Sequence, residues 1–460
     1  MSTSQSAAHR RNVSSRSSRP RSSTKGPLDM PDDDIAQPDA AVSSPSPLRS
    51  EIRSPVTSDA GFSPLEDLDS LRVELDNILA ARNLPITKDL SFLLRPELYH
   101  PLSQLDVPPM FRTPFQSPAI GETLPTTLSR INALLAQGHF LVAAHLCGLL
   151  LTSSILAPTD TKTIFTLLYT RLSCLQLTGN TVLAAQESKA LEDLNSAFYY
   201  VQAEGDTPGE GSPRSYHIVP WPLRVLAVRL QSIGFGDSRR GIAGLYELGL
   251  EARRELLQPG FDPAIKKIWQ DRLEDLNIRV VNALIELGDL EAARRTLESM
   301  SRKSSNDSIL TSRRVLLYLR IGDVAAAKRV LEEAQPDTVR AEFLNPLIQM
   351  TEGRYDEAAA TWKSLLEGTF SKSSEPVIKQ NLAVCLLYTG RLSESRSLLE
   401  SLISANQSFQ SLTFNLATIY ELCSDRSRNL KLRLADAVAK QPCAGDMNLD
   451  RSNADFKLVD

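Results

Sequence analysis

Asn381 and Asn415 occupy one slot in two nearly repeated phrases. Asn-Leu-Ala-Val-Cys-Leu-Leu-Tyr begins at 381 and Asn-Leu-Ala-Thr-Ile-Tyr-Glu-Leu begins at 415, 34 residues on. An amide side chain both donates and accepts hydrogen bonds. On a helix it can bond the backbone of a neighbouring repeat or hold the extended chain of a partner, and both readings stand at this point. Tyr388, Tyr420, Glu421 and Arg426 accompany the two phrases and are the surface residues expected to contact a partner. This is recognition chemistry. The pieces of reaction chemistry are missing: there is no GxxxxGK[ST] phosphate loop and no GxSxG elbow. Gly234, Gly236 and Gly241 imitate GxGxxG, but the third glycine is two positions late, so they read as a helix–helix turn. The five histidines (His9, His100, His139, His145, His217) show no paired ligand spacing. The acidic residues fall on exposed helix faces. The chain is therefore expected to be no enzyme, with no cofactor, no metal and no small-molecule substrate.

Recognition residues need elements that hold them in register, and the same period of about 34 supplies these. Gly288, Gly322, Gly353 and Gly390 are spaced 34, 31 and 37, and each is followed five positions later by a small residue: Ala293, Ala327, Ala358 and Ser395. Leu290, Val324, Tyr355 and Leu392 stand two positions after the glycines. Glycine suits a left-handed turn between two helices, and the small residue lets their backbones approach. This is the pattern of tetratricopeptide (TPR) repeats, in which no helix pair buries its apolar stripe alone and several must stack. The fold class read from it is all-α: a TPR-like α-solenoid of stacked antiparallel helix pairs, preceded by a disordered N-terminal region. Slots around Ile278, Asn282 and Arg313 lack the pattern that clamps a chaperone's C-terminal carboxylate.

Composition is ordinary for a globular chain of 460 residues, and a net charge of −4 argues against bulk nucleic-acid binding. Cys147, Cys174, Cys385, Cys423 and Cys443 form no CxxC, which suits a reducing intracellular compartment. Residues 131–159 carry no charge, yet Gln137-Gly138-His139 interrupts them and Gly138, Phe140 and Ala143 fit the repeat register, so a buried hairpin is expected rather than a membrane span. Residues 1–120 read as mostly disordered and rich in Ser, Pro and Arg. The first 25 hold seven basic or histidine side chains and no acid. That tail reads as solvated, with a nuclear or polyanion-binding patch as one alternative and a mitochondrial presequence, which lacks an amphipathic face here, as the other. Ser44-Pro45, Ser46-Pro47, Ser54-Pro55, Ser63-Pro64, Thr113-Pro114 and Ser117-Pro118 are candidate phosphorylation sites.

Within that region, Leu68, Leu71, Leu75, Ile78 and Leu79 mark an amphipathic acidic helix over 65–84 that docks either on this chain or on a partner. The repeat domain is expected over 121–440. Its early helices are placed near 126–137, 139–151, 161–178 and 181–199, with an exposed loop over 203–219. The 109 residues from Gly179 to Gly288 imply about three degenerate periods. Residues 441–460 read as a tail.

The phrases over 381–403 and 412–439 resemble the end of the subunit 12 family of the transport protein particle (TRAPP) complex. Val-Pro-Trp-Pro-Leu-Arg from 219 is similar to the segment that precedes a long helix pair in that family. The resemblance implies a non-catalytic scaffold subunit of a vesicle-tethering complex that acts as a guanine nucleotide exchange factor for Rab GTPases. It implies roles in endoplasmic reticulum-to-Golgi transport and autophagy. The implied partners are other TRAPP subunits, especially the large peripheral arm subunits, and, indirectly, Rab GTPases and membranes. The implied location is cytoplasmic, at the Golgi or the ER–Golgi intermediate. A nuclear or RNA-processing TPR scaffold is the alternative.

Overall fold

Left-handed backbone recurs wherever the repeat pattern puts a turn glycine. Gly138, Gly179, Gly236, Gly288, Gly322, Gly353 and Gly390 all have φ between 63° and 90°. The computed structural model describes Leu68, 71–74, 88–102, 122–202, 215–258, 263–300, 308–333, 339–368, 375–423 and 426–441. The basic tail, all six Ser/Thr-Pro pairs and residues 442–460 of the C-terminal tail lie outside the described residues, whereas Gln441, the first residue of that expected tail, is buried and donates to the Ile403 carbonyl.

The helices run in antiparallel pairs. The first two pairs are α1 (Leu124–Ala136) with α2 (Phe140–Leu151) and α3 (Thr161–Leu177) with α4 (Thr181–Ser188). A short antiparallel strand pair follows, β1 (Tyr200–Gln202) with β2 (Ser215–His217), in the register Tyr200↔His217, Val201↔Tyr216, Gln202↔Ser215. Next come α5 (Trp221–Phe235) with α6 (Ser238–Leu256) and α7 (Pro263–Leu287) with α8 (Leu290–Ser299). The regular repeats are α9 (Ser308–Ile321) with α10 (Val324–Glu333), α11 (Val339–Thr351) with α12 (Tyr355–Glu367), and α13 (Glu375–Tyr388) with α14 (Leu392–Ser404). The last pair is α15 (Gln410–Cys423) with α16 (Ser427–Ala439). Each helix packs on its sequence neighbours, and first helices of successive pairs also meet, α7 with α9 and α9 with α11. The chain is an all-α TPR-like solenoid in which the described residues include one short antiparallel strand pair.

The turns share one hydrogen bond, from the N–H after the glycine to the carbonyl five residues back. Examples are Asp289 to Leu284 (3.0 Å), Arg354 to Gln349 (2.9 Å) and Arg391 to Leu386 (2.8 Å). It satisfies a helix-end carbonyl and requires positive φ at the glycine. The small residues five positions on (Ala143, Ala184, Ala293, Ala327, Ala358 and Ser395) have no exposed surface, and Gly241 fills the slot in the α5–α6 pair. A Cβ at Gly241 would stand 2.4 Å from that of Ser232, so not even alanine fits there unchanged. Ser395 adds a buried bond of 2.7 Å from its hydroxyl to the carbonyl of Ala383 on the facing helix.

Three expectations are corrected. The helix expected over 181–199 ends at Ser188, because Glu192 takes φ 51° and Asp193 and Ser196 fold the chain back, their side chains accepting from the N–H groups of Asn195 and Phe198. The loop expected over 203–219 gives up 215–217 to β2, and Ile218 and Val219 are buried; aromatic and β-branched residues there favour a pleated, half-buried surface. Among the described residues between Gly179 and Gly288 there is one glycine turn, at Gly236, because longer helices and the β1–β2 segment take up the length of one further repeat.

Residues 131–159 form a hairpin. Ten of the twelve residues of α2 are buried, which makes it a central helix that is apolar all round. Among the described residues, no helix is long and apolar enough to cross a membrane. Of the amphipathic helix expected over 65–84, Leu68 and 71–74 are described and helical, and the rest lies outside the described residues; Leu68 and Leu71 join the core built around α1 to α5, so this part docks in cis.

Candidate partner-binding surface

The six residues expected to contact a partner divide into exposed and buried sets. Tyr388, at the end of α13, is 59% exposed and stacks flat on Tyr355, with ring centroids 4.4 Å apart and planes within 6°. The two rings join the end of one pair's first helix to the start of the preceding pair's second helix. Glu421 and Arg426 are exposed at the turn between α15 and α16. Glu421 accepts a hydrogen bond from Lys431, whose side chain is almost fully buried. That carboxylate is therefore already engaged in stabilising a buried ammonium.

Tyr420 is buried at 5% exposure, contrary to its reading as a surface residue. Its hydroxyl donates to Glu400 Oε1 at 3.0 Å, and the Arg396 guanidinium lies 5.2 Å from its ring. Burial and the Glu400 carboxylate push the phenol above its ordinary range. The isoleucine-to-tyrosine step of the 415 phrase turns inward because the face that Leu412, Leu416 and Ile419 bury on α15 also takes in position 420. Asn381 is buried and Asn415 half-buried. The Asn415 Nδ2 is shielded from water with no hydrogen-bond partner. Beside them Gln380, fully buried, accepts from Ser411 at 3.3 Å across the α13–α15 contact, while its own Nε2 has no partner. The repeated amides are thus enclosed, Asn381 fully and Asn415 in part, rather than set on an open face.

The densest polar constructions lie elsewhere, and single-sequence reading missed them. Arg171 on α3 is 1% exposed, and its Nε and Nη2 donate to the two carboxylate oxygens of Glu187, both at 2.7 Å. The same guanidinium donates to the carbonyls of Ala144 (2.8 Å) and His100 (2.9 Å) and lies 5.2 Å from the Tyr99 ring. It fastens residues 99–100 to three helices. A Cβ at Gly148 would sit 2.4 Å from Arg171 Nη1, which is why glycine stands inside α2. A second cluster surrounds the Val-Pro-Trp-Pro-Leu-Arg segment. Arg224 is paired through both its terminal nitrogens with Glu251. Nearby, His217 accepts from Val219 N–H on Nδ1 (3.0 Å), so Nε2 carries the proton to the Leu194 carbonyl at 2.8 Å. Burial, aided by Arg224, lowers the His217 imidazole to about 4.

The tetratricopeptide repeat family matches residues 281–299, across the α7–α8 turn. Trafficking protein particle complex subunit 12 of Homo sapiens is 25% identical over 346 residues, covering 67% of this chain and 46% of that protein. The Mus musculus protein of the same name is 25% identical over 344 residues, covering 68% of this chain and 42% of its own length. The chain spans about half the length of the curated relatives it matches. The similarity to subunit 12 read from the C-terminal phrases thus extends over two thirds of the chain.

Proposed function

We propose that this chain is a non-catalytic scaffold subunit of a TRAPP vesicle-tethering and Rab guanine nucleotide exchange complex. The observation that carries the reading is the coincidence of two findings. One is the similarity to subunit 12 over 346 residues. The other is the run of seven glycine-centred turns among the described residues, between which helix pairs stack. Within that reading, the chain acts in endoplasmic reticulum-to-Golgi transport and in autophagy, at the Golgi or the ER–Golgi intermediate. Its contacts are other TRAPP subunits, the large peripheral arm subunits first. Rab GTPases and membranes are reached through them.

The partner face we assign is the exposed part of the expected set: Tyr388 with its stacked Tyr355, and Arg426 at the far turn. An exposed ring held flat on a half-buried one offers contact area at low entropic cost, as interface hot spots do. The test is a tagged chain carrying Tyr388→Ala and Arg426→Ala. Arm subunits are expected to be lost from its purification while its circular dichroism melt stays that of the parent. Full recovery of arm subunits would move the contact to another face. Tyr420→Ala and Glu421→Ala are poor probes, since one opens a cavity and the other strands buried Lys431.

A further inference from the structure

The helix α5 starts without a cap of its own. Its N-cap is Pro220, which supplies no capping side chain, and Pro222 in its first turn has no N–H. The cap comes from 147 residues away: both carboxylate oxygens of Glu74 accept from the Trp221 N–H, at 3.1 and 3.2 Å. The positive end of a helix favours such an anion. Arg272 on α7 pairs with the same carboxylate at 3.0 Å, and its guanidinium lies 5.1 Å from the Trp221 ring and 4.5 Å from the Trp269 ring. The two indoles meet edge to face at 5.4 Å. Leu68 and Leu71, on the Glu74 face of the same segment, are buried at 4% and 0%, while Val73 on its other side is 60% exposed. The segment therefore bridges two cores, its leucines in that of α1 to α5 and its carboxylate on the Trp221 side of the next.

We infer that this seam is a receptor for an acidic, leucine-bearing amphipathic helix of pattern Leu-x2-Leu-x2-Glu, and that residues 68–74 are its tethered occupant, exchanged for a helix of the same chemistry from a partner protein. Charge complementarity sets the occupant: a carboxylate between a helix N-terminus and a guanidinium, with leucines three and six residues before it. Ile265 and Ile268 share the α7 face of Trp269 and Arg272 and remain 39% and 48% exposed. A longer partner helix gains those contacts, which offsets the high effective concentration of the tethered one. The cis seat is also imperfectly compensated. Burial raises the Glu74 carboxyl above its ordinary range even against Arg272 and the Trp221 N–H. The inference does not depend on membership of any complex.

The test uses the full chain and, as probe, a fluorescein-labelled peptide of its own residues 65–80. Fluorescence anisotropy measures binding to the parent and to an opened variant, Leu68→Ser with Leu71→Ser. The opened variant is expected to bind at least about tenfold more tightly than the parent. Arg272→Glu in the opened chain is expected to abolish binding, and a peptide with Glu74→Lys to restore it. Trp221 and Trp269 emission should shift on opening and return with peptide. If the double variant does not fold, Glu74→Lys in the full chain is the opened form. An opened, folded chain that ignores the peptide, or binds it equally with Arg272→Glu, overturns the proposal. So does failure of both opened forms to fold, since the segment is then a fixed part of the core.

Discussion

Gly353 and Ala358 show how differently two small residues five positions apart constrain the chain. A Cβ at Gly353 meets nothing within 4 Å, so only its φ of 77° excludes other residues. Gly353→Ala is expected to cost about 1–2 kcal/mol through that conformation. Ala358 has no exposed surface, and Ala358→Leu is expected to cost about 1–3 kcal/mol by overpacking. Urea unfolding followed by circular dichroism measures both costs, and a parental midpoint for either variant would refute the turn geometry. His217 makes a pH prediction. Its folded value of about 4 lies below the ordinary 6.5, so between those values the unfolded chain binds the extra proton. Stability is therefore full above pH 6.5 and falls as pH drops toward 4, by about 1–3 kcal/mol from this group. Glu74 works in the opposite sense, its raised value making the docked segment tighter on acidification. A His217→Gln chain should show a flatter melting profile between pH 7 and pH 5; an unchanged profile would remove His217 as the cause. The turn glycines and their small partners were legible because they obey a local rule. Tyr420 was misplaced because its side depends on which face α15 buries, and a short phrase does not state that.

At the scale of elements, the buried Arg171–Glu187 pair holds residues 99–100, α2, α3 and α4 together. Arg171→Met leaves the buried Glu187 carboxylate with the His100 N–H but without its guanidinium, and is expected to cost about 3–5 kcal/mol. Arg171→Met combined with Glu187→Leu should cost clearly less, because no charge is then stranded. Additive losses in a double-mutant cycle would mean that the pair is not coupled. Such a pair is invisible in a single sequence: Arg171 and Glu187 sit 16 residues apart on different helices, with ordinary neighbours. Glycine at 148 was the one available signal, a helix-interior position where glycine is unfavourable unless something needs its space. The described part of the amphipathic segment, Leu68 and 71–74, was legible as helical from its leucine spacing. Its docking in cis was not, since a face that fits a partner's groove also fits its own. The end of α4 was missed because the helical pattern of 181–188 runs on into residues whose turn chemistry wins.

For the whole molecule, stacked pairs that touch only their neighbours carry stability as a sum of local terms. A contact surface at one end can therefore be altered without unfolding the other. The period of 34 revealed this architecture over α7 to α14, where the spacing is regular. Over α1 to α6 long helices, a β-hairpin and Gly241 in place of alanine stretch the same rule until only its turn geometry survives. The most direct test of the account is affinity purification of the tagged full chain, at its natural level, from the cells that make it, with quantitative mass spectrometry. The account predicts TRAPP subunits recovered in near-stoichiometric amounts, arm subunits among them. Recovery of a folded chain with no TRAPP subunit above background would contradict it.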